Sequence, residues 1–374
     1  LLLGMGLPTT ANYIIMASLT APILVRYLNV LLRLENNVRA YTTETLWMQA
    51  CLNLIYLLPG FVTQDARAFV LGAVCSFAGV AVFYWRRASK GQTKEAPVRG
   101  LRPYAHIYRA ALPYGIVLAP AAILIPLYRA ICLSFLGNYA PAAEQGSFDF
   151  AYTLAQLVTT IQAGFSTYWG PYVYAHYRTE QERIGRIHDL LNLLIFGFFC
   201  LLVMFEDIIF IIFPAKSACL PYFPLMMLAV VFSILCEGTV YGNTIARKPF
   251  QDTIGTAVGV AANIAVCAVL VPRFGVMGAA VGLVAANATM FLYRTVTGQY
   301  YYRTIPSFSR TICGFLLAVG VAVIGVVFAH NFIIKFVLTA AILFIYCNIY
   351  RAQLYKLWQI FMGFVRRYLL HSQA

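Results

Sequence analysis

Apolar residues fill about eleven long runs of the chain, and short polar segments separate these runs. Each run approaches the roughly 20 residues that an α-helix needs to cross the hydrocarbon core of a bilayer. The pattern predicts an all-α, polytopic integral membrane protein of about 11 transmembrane helices in two bundles. The predicted spans are residues 1–25, 43–60, 67–85, 106–136, 147–176, 187–213, 219–244, 251–271, 276–297, 309–329 and 331–350.

One segment interrupts the apolar runs, because it combines charge, glycine and proline without apolar periodicity. It covers residues 86–105, and we expect it to be a basic cytoplasmic linker. The predicted units are a first span (1–25), a partial N-terminal lobe (26–85), this linker, a C-terminal lobe (106–303), two additional spans (304–350) and a tail (351–374). The N-terminal lobe would be incomplete, as if its opening spans were missing.

The tail has apolar side chains at helical spacing and basic residues between them, as in Leu354, Leu357 and Phe361 with Lys356. This pattern predicts an amphipathic helix on the cytoplasmic interface. The alternative is a twelfth span, which would place Arg366 and Arg367 in the hydrocarbon core.

Composition supports a membrane protein, since 61% of residues are hydrophobic and only 11% are charged. Soluble domains have about a quarter charged residues. The net charge of +14 could indicate nucleic-acid binding. The basic residues are dispersed over several loops, however, so we expect a lipid surface as their partner and no nucleic acid.

Lys and Arg residues alternate by loop, and this alternation predicts the topology. Every second loop is basic, and these loops and the tail hold 22 of the 27 basic residues, whereas the opposite side has Arg67, Lys216 and Arg273. Cytoplasmic loops retain positive charge. We therefore expect a multi-pass protein of the cell inner (cytoplasmic) membrane with a cytoplasmic C-terminus.

No pattern in the sequence indicates catalysis or a cofactor. The nine cysteines have no C-x-x-C spacing, and the five histidines are scattered. No phosphate loop or metal-ligand spacing is present. We expect no enzymatic activity, no cofactor and no metal site.

Ionisable residues inside the apolar runs are the candidate functional residues, since charge in a membrane span is costly. Arg129 could attract an anionic head group, or its side chain could extend to the outer interface. Glu237 and Asp149 could relay a coupling ion, and Glu237 could equally pair with Arg129 or with another helix. Glu206 and Asp207 are expected near the outer interface.

Prolines and glycines indicate how the helices pack. Pro113, Pro120 and Pro126 fall in one span, where they could bend a cavity-lining helix or simply be tolerated. Two small-residue pairs at helical spacing predict close helix contacts. They are Gly255 with Gly259 and Gly278 with Gly282.

From about Arg26 onward, several motifs occur in the order found in one transporter family. They are Arg-Leu-Glu-Asn-Asn at 33–37 with Tyr41, Arg-Ala-Ala-Leu-Pro at 109–113, Gly146 to Ala155, Trp-Gly-Pro at 169–171, and Lys248 with Ala-Asn at 262–263, Pro272, Gly275 and Gly-Ala-Ala at 278–280. The chain thereby resembles the polysaccharide (lipid-linked oligosaccharide) flippases of the multidrug/oligosaccharidyl-lipid/polysaccharide exporter superfamily. It departs from that family at Tyr128, where Asp is frequent, and at Ser147 and Phe148, where Tyr is frequent.

Residues 1–25 resemble another family. Gly4, Gly6, Pro8, Thr9 and Thr10 match the G-x-G-x-P-T-T motif of the large permease subunit of tripartite ATP-independent periplasmic transporters. In that motif glycine frees backbone carbonyls and threonine hydroxyls can ligate a cation. We expect this segment to be a fused or mis-joined substitute for the first flippase spans.

The flippase resemblance implies translocation of a polyprenyl-diphosphate-linked oligosaccharide for cell-surface polysaccharide biosynthesis, such as O-antigen or lipopolysaccharide, by alternating access. The implied partners are this substrate, the lipid bilayer, and a polysaccharide polymerase with glycosyltransferases. The implied substrate-binding residues are Arg33, Arg39, Arg109, Arg129, Asp149 and Asn263, and the implied ion-coupling residues are Glu237 and Asp149.

Two other functions stay open at the sequence level. A cation-coupled drug or solute exporter of the same superfamily would need acidic residues deep in its cavity, for which Glu237 and Asp149 are the candidates. A non-transporting scaffold of the polysaccharide assembly machinery would not need a complete N-terminal lobe.

Overall fold

The computed structural model describes residues 105–355, together with residues 82, 358, 359 and 362. Backbone contacts divide the chain into two compact units. One contains Leu1–Pro103 and Thr160–Trp169, and the other contains Tyr104–Thr159 and Gly170–Ala374. The described helices belong to the second unit, except that residues Thr160–Trp169 of the helix Ala142–His176 belong to the first. The predicted spans and domain boundaries before residue 105 lie outside the described residues.

Every predicted span within the described residues is helical. The helices are α1 (Ala105–Tyr139), α2 (Ala142–His176), α3 (Gln181–Ile212), α4 (Phe223–Thr239), α5 (Tyr241–Ile245), α6 (Phe250–Phe274), α7 (Val276–Tyr301), α8 (Phe308–Val327) and α9 (Phe332–Ile349), with a short 3₁₀ helix at Pro214–Cys219. The predicted span 219–244 corresponds to α4 and α5, which are separated at Val240. The all-α fold class is confirmed.

Seven membrane-length apolar segments occur among the described residues. They are Gly115–Tyr139, Gln181–Ile212, Phe223–Ile245, Phe250–Phe274, Val276–Tyr301, Phe308–Val327 and Phe332–Ile349. Large apolar side chains along them are exposed, among them Ile211, Ile333 and Phe344 at more than 70%. An apolar exposed surface of this extent is suited to lipid rather than water. The described unit therefore has the surface of a multi-pass membrane protein.

Helix α4 forms the centre of the described unit. It packs against α3, α7 and α8, and most of its residues are buried. A helix that is apolar on every side is buried on every side. Phe232 of α4, Phe291 of α7 and Phe315 of α8 form a cluster of three stacked rings, whose centroids lie 4.7–6.2 Å apart.

The glycine pairs on α6 and α7 bring these two helices into close contact, as the sequence predicts. A Cβ atom at Gly278 would lie 2.6 Å from the carbonyl oxygen of Leu270, and one at Gly259 would lie 2.8 Å from the carbonyl oxygen of Ala286. Because both neighbours are backbone atoms, a side chain larger than hydrogen does not fit without separating the helices.

Helix α1 runs without interruption for 35 residues through its three prolines. It packs on α6 and α7. The buried Tyr128 hydroxyl donates to the carbonyl oxygen of Thr256 over 3.0 Å. Whether the prolines bend α1 toward a cavity stays a prediction.

Helices α8 and α9 pack on α3 and on each other, and α8 also packs on α4. Phe196 of α3 and Tyr346 of α9 stack with centroids 3.8 Å apart. The two additional spans are thus part of the same compact unit as α1–α7. After α9 the chain is helical again at 351–355, and most of the predicted interfacial tail lies outside the described residues.

Successive long helices run in opposite directions, so every second connection lies at the same end of the second unit. Most basic residues of this unit lie in the connections at one end. This end has the starts of α1, α3, α6 and α8 and the ends of α2, α5, α7 and α9. Its basic residues are Arg109, Arg178, Arg183, Arg186, Arg247, Lys248, Arg294, Arg303, Arg310 and Arg351. We refer to it as the basic end.

Candidate functional site

The structure joins two of the predicted site residues in one ion pair. The Arg129 guanidinium on α1 donates from Nε to Asp149 Oδ1 and from Nη2 to Asp149 Oδ2, each over 2.6 Å. A guanidinium presents its donors as a planar fork, which matches the two oxygens of a carboxylate. Asp149, rather than Glu237, is therefore the acidic partner of Arg129.

Arg129 lies in the membrane-length apolar segment Gly115–Tyr139, and its ion pair with Asp149 remains accessible. Arg129 is ten residues before the end of α1 and Asp149 seven residues after the start of α2, or about 15 Å and about 10 Å along the helices. The side chains are 41% and 37% exposed. The guanidinium also lies 5.6 Å from the ring centroid of Tyr152. Another anion could thus reach Arg129 without unfolding either helix.

Asn263, the third candidate, lies in the contact between α1 and α6. It is fully buried, and its amide nitrogen donates to the carbonyl oxygen of Tyr128 over 2.7 Å. Its Oδ1 accepts from the thiols of Cys132 and Cys267 over 3.5 Å and 3.3 Å. These bonds connect α6 to the backbone of α1, so the side chain is engaged in packing. Its role in substrate binding stays a prediction.

The remaining candidates do not join the Arg129–Asp149 pair in the described part of the chain. Arg109 lies near the start of α1 with an exposed side chain, twenty residues before Arg129. Glu237 lies near the end of α4 and is partly buried. Arg33 and Arg39 lie outside the described residues. The proposed roles of all four stay predictions.

A second intramembrane ion cluster was not predicted from the sequence. Lys335 of α9 is fully buried, and its Nζ lies 2.9 Å from Glu206 Oε1 and 2.6 Å from Asp207 Oδ2 of α3. Glu206 is also fully buried, whereas the Asp207 side chain is 24% exposed. The only sequence signal was that each charge interrupts an apolar run. Periodicity could not identify the partners, because they are 128 and 129 residues apart.

Among residues 105–355, no group of three or more His, Cys, Asp or Glu side chains is placed to hold a metal ion. The Arg129–Asp149 pair is an accessible Arg–carboxylate pair in this region. Such a pair can exchange the carboxylate for a phosphate, since phosphate oxygens match the same guanidinium fork.

No protein-family model matches the chain, and no curated protein sequence matches it. A solved structure does match: lipid II flippase MurJ in its inward closed conformation. The two structures align with a TM-score of 0.60 at 12% sequence identity, over 94% of this chain and 78% of that one. At this identity the likeness establishes a shared polytopic membrane fold.

Proposed function

We propose that this protein is a transporter that moves a lipid-linked saccharide across the membrane by alternating access. The observation that carries the proposal is the fold likeness to a lipid II flippase over 94% of the chain. The half-exposed Arg129–Asp149 pair agrees with it, because a saccharide linked to a lipid through phosphate has an anionic linkage next to its lipid chain. The same likeness favours a transporter over an enzyme.

The more specific proposal is a polyprenyl-diphosphate-linked oligosaccharide, moved from the cytoplasmic to the outer face of the inner membrane for surface polysaccharide assembly. Glycosyltransferases would supply the substrate on the first face, and a polysaccharide polymerase would use it on the second. The motifs at 109–113 and 262–280 support this class, since they resemble those of polysaccharide flippases.

Arg129 has a defined role in this proposal. The diphosphate displaces the Asp149 carboxylate from the Arg129 guanidinium, and Asp149 takes the guanidinium back when the substrate leaves. A carboxylate partner keeps the cation compensated while no substrate is bound, since an unpaired charge in a span is costly. The exchange replaces one bidentate partner of the Arg129 guanidinium by another, so this cation stays paired while substrate is bound.

The test is a transport assay in proteoliposomes that contain the full chain and a polyprenyl-diphosphate oligosaccharide. A membrane-impermeant glycosidase reports how much substrate reaches the outer leaflet. We expect Arg129→Ala to reduce the initial rate at least about ten-fold, since it removes a charge-assisted bidentate contact. Arg273→Ala, which removes an exposed cation at the opposite end from the basic end, should leave the rate unchanged.

A charge swap separates substrate binding from a structural ion pair. The double variant Arg129→Asp with Asp149→Arg keeps the salt bridge but moves the cation to α2. We expect it to fold like the parent and to transport poorly. Recovery of the parental rate would show that the pair only connects α1 to α2 and would remove Arg129 from the substrate site. Equal rates with and without protein would refute the transport proposal.

A further inference from the structure

The basic end of the second unit contains a cleft that the proposed transport site does not use. Its volume is about 500 Å³, within the range of about 300–1,000 Å³ that is typical of small-molecule sites. The start of α3, the connection between α7 and α8 and the residues after α9 form its walls. The lining residues used below are Arg186, Asp189, Arg303, Arg310 and Gln353, and Glu182 also lines it.

Three guanidinium groups face this cleft. Arg186 and Arg303 are exposed, and neither has an ion-pair partner in the described part of the chain. The Arg310 Nη1 atom lies 3.8 Å from Asp189 Oδ2, which is beyond hydrogen-bond length. The donors of all three guanidiniums are therefore available to an anion with several acceptor oxygens.

Asp189 adds a second requirement for the ligand, namely a hydrogen-bond donor. Its side chain is only 4% exposed, and its Oδ2 accepts from Gln353 Nε2 over 3.0 Å. Its Oδ1 is buried and accepts no hydrogen bond from the described residues. A buried acceptor without a donor is unfavourable. A ligand with a hydroxyl group beside its phosphate would satisfy both the guanidiniums and this oxygen.

We infer that this cleft binds the headgroup of an anionic glycerophospholipid of the phosphatidylglycerol type. Its phosphodiester contacts Arg186, Arg303 and Arg310, and a glycerol hydroxyl donates to Asp189 Oδ1. A lipid fits better than a soluble phosphate, because the cleft lies at the ends of helices that are long and apolar enough to span a membrane. Basic pockets between helix ends on the cytoplasmic side are suited to anionic headgroups.

The first experiment measures binding of short-chain lipids to the purified full chain in a neutral detergent. We expect dioctanoyl phosphatidylglycerol to bind several-fold more tightly than dioctanoyl phosphatidylmethanol, which has the same charge but no headgroup hydroxyl. Glycerol phosphate without acyl chains should bind at least about ten-fold more weakly. Equal affinity for glycerol phosphate would show a soluble-phosphate site instead, and equal affinity for phosphatidylmethanol would exclude the contact with Asp189.

Matched variants then test the guanidiniums. Arg186→Gln with Arg303→Gln should weaken phosphatidylglycerol binding at least about ten-fold, since two charge-assisted donors are lost. Arg178→Gln with Arg247→Gln removes the same charge at the same end, away from the cleft, and should change affinity less than about two-fold. An equal loss in both pairs would show diffuse attraction of lipid to the basic end and overturn the site.

A third pair of substitutions, Arg186→Lys with Arg303→Lys, separates the effect of positive charge from that of guanidinium geometry. It retains both charges but loses the planar fork, so we expect an intermediate affinity. Binding as tight as that of the parent chain would contradict a guanidinium site. Because binding is measured without transport, this inference stands or fails independently of the proposed function.

Discussion

Lys335 shows how a charged side chain can be stabilised within a membrane-length apolar helix. Its ammonium group is fully buried, and two carboxylates, Glu206 and Asp207, lie within 2.9 Å of it. Removing one partner from a buried pair leaves an uncompensated charge, whereas replacing a pair by neutral groups of similar size is often tolerated. The cluster therefore makes α9 dependent on α3.

This dependence predicts that removing Lys335 alone destabilises the protein more than removing the charges of Lys335 and Glu206 together. Lys335→Met should lower the unfolding free energy by about 3–5 kcal/mol, because it leaves Glu206 buried without its cation. Adding Glu206→Gln should recover part of that loss. The midpoint of thermal unfolding in detergent measures both, with Arg273→Met as the exposed-cation control. A double variant that is less stable than Lys335→Met would show that charge compensation is not the main effect.

The Arg129–Asp149 pair differs from the Lys335 cluster in exposure. Arg129 and Asp149 are each more than a third exposed, so their ion pair contributes little to stability in a solvated setting. A weak, accessible pair is suited to exchange with a ligand, whereas the buried Lys335 cluster is suited to holding helices together.

At the scale of helices, the contact between α6 and α7 depends on the absence of side chains. A Cβ atom at Gly278 would lie 2.5 Å from the carbonyl carbon and 2.6 Å from the carbonyl oxygen of Leu270. In membranes, apolar burial does not drive helix association, so close backbone contact is a main source of helix–helix attraction.

Two glycine substitutions should therefore have opposite effects. Gly278→Ala should destabilise the protein by about 1–3 kcal/mol, since the methyl group overpacks the contact. Gly197→Ala is the matched control, because no atom lies within 4 Å of a Cβ built there. It should be neutral or stabilising, as alanine favours a helix interior over glycine by about 0.5–1 kcal/mol. Thermal unfolding of both variants tests this, and equal destabilisation would contradict the contact.

At the scale of the whole molecule, the distribution of basic residues predicts the orientation in the membrane. The basic end contains Thr179, and the opposite end contains Ser217 of the 3₁₀ helix between α3 and α4. Both residues are exposed. If the basic end is cytoplasmic, these positions lie on different sides of the membrane.

Labelling of introduced cysteines tests the orientation. In intact cells, a membrane-impermeant maleimide should label Ser217→Cys but not Thr179→Cys. After permeabilisation of the cells, it should label both variants. The parent chain, with its own cysteines, gives the background. Labelling of Thr179→Cys alone in intact cells would reverse the topology and would place the lipid-headgroup cleft on the outer face.

Within residues 105–355, the sequence by itself determined the helices and their order. The predicted spans 251–271 and 309–329 correspond to Phe250–Phe274 and Phe308–Val327, because the length of an apolar run is a local property that a bilayer converts directly into a helix. Gly278 and Gly282 likewise indicated close packing, since small residues at helical spacing share one face. The alternation of basic loops predicted which loops lie on the same side of the membrane.

Only the tertiary structure decided which polar residues meet. Periodicity places Arg129, Asp149, Lys335 and Glu206 within helices, but their partners depend on how each helix rotates and which neighbour it packs against. The cleft takes its residues from positions 181–189, 303–310 and 353, which no local pattern connects. Helix packing brings together side chains that are distant in the sequence. For that reason the ion pairs and the cleft could be identified only from the tertiary structure.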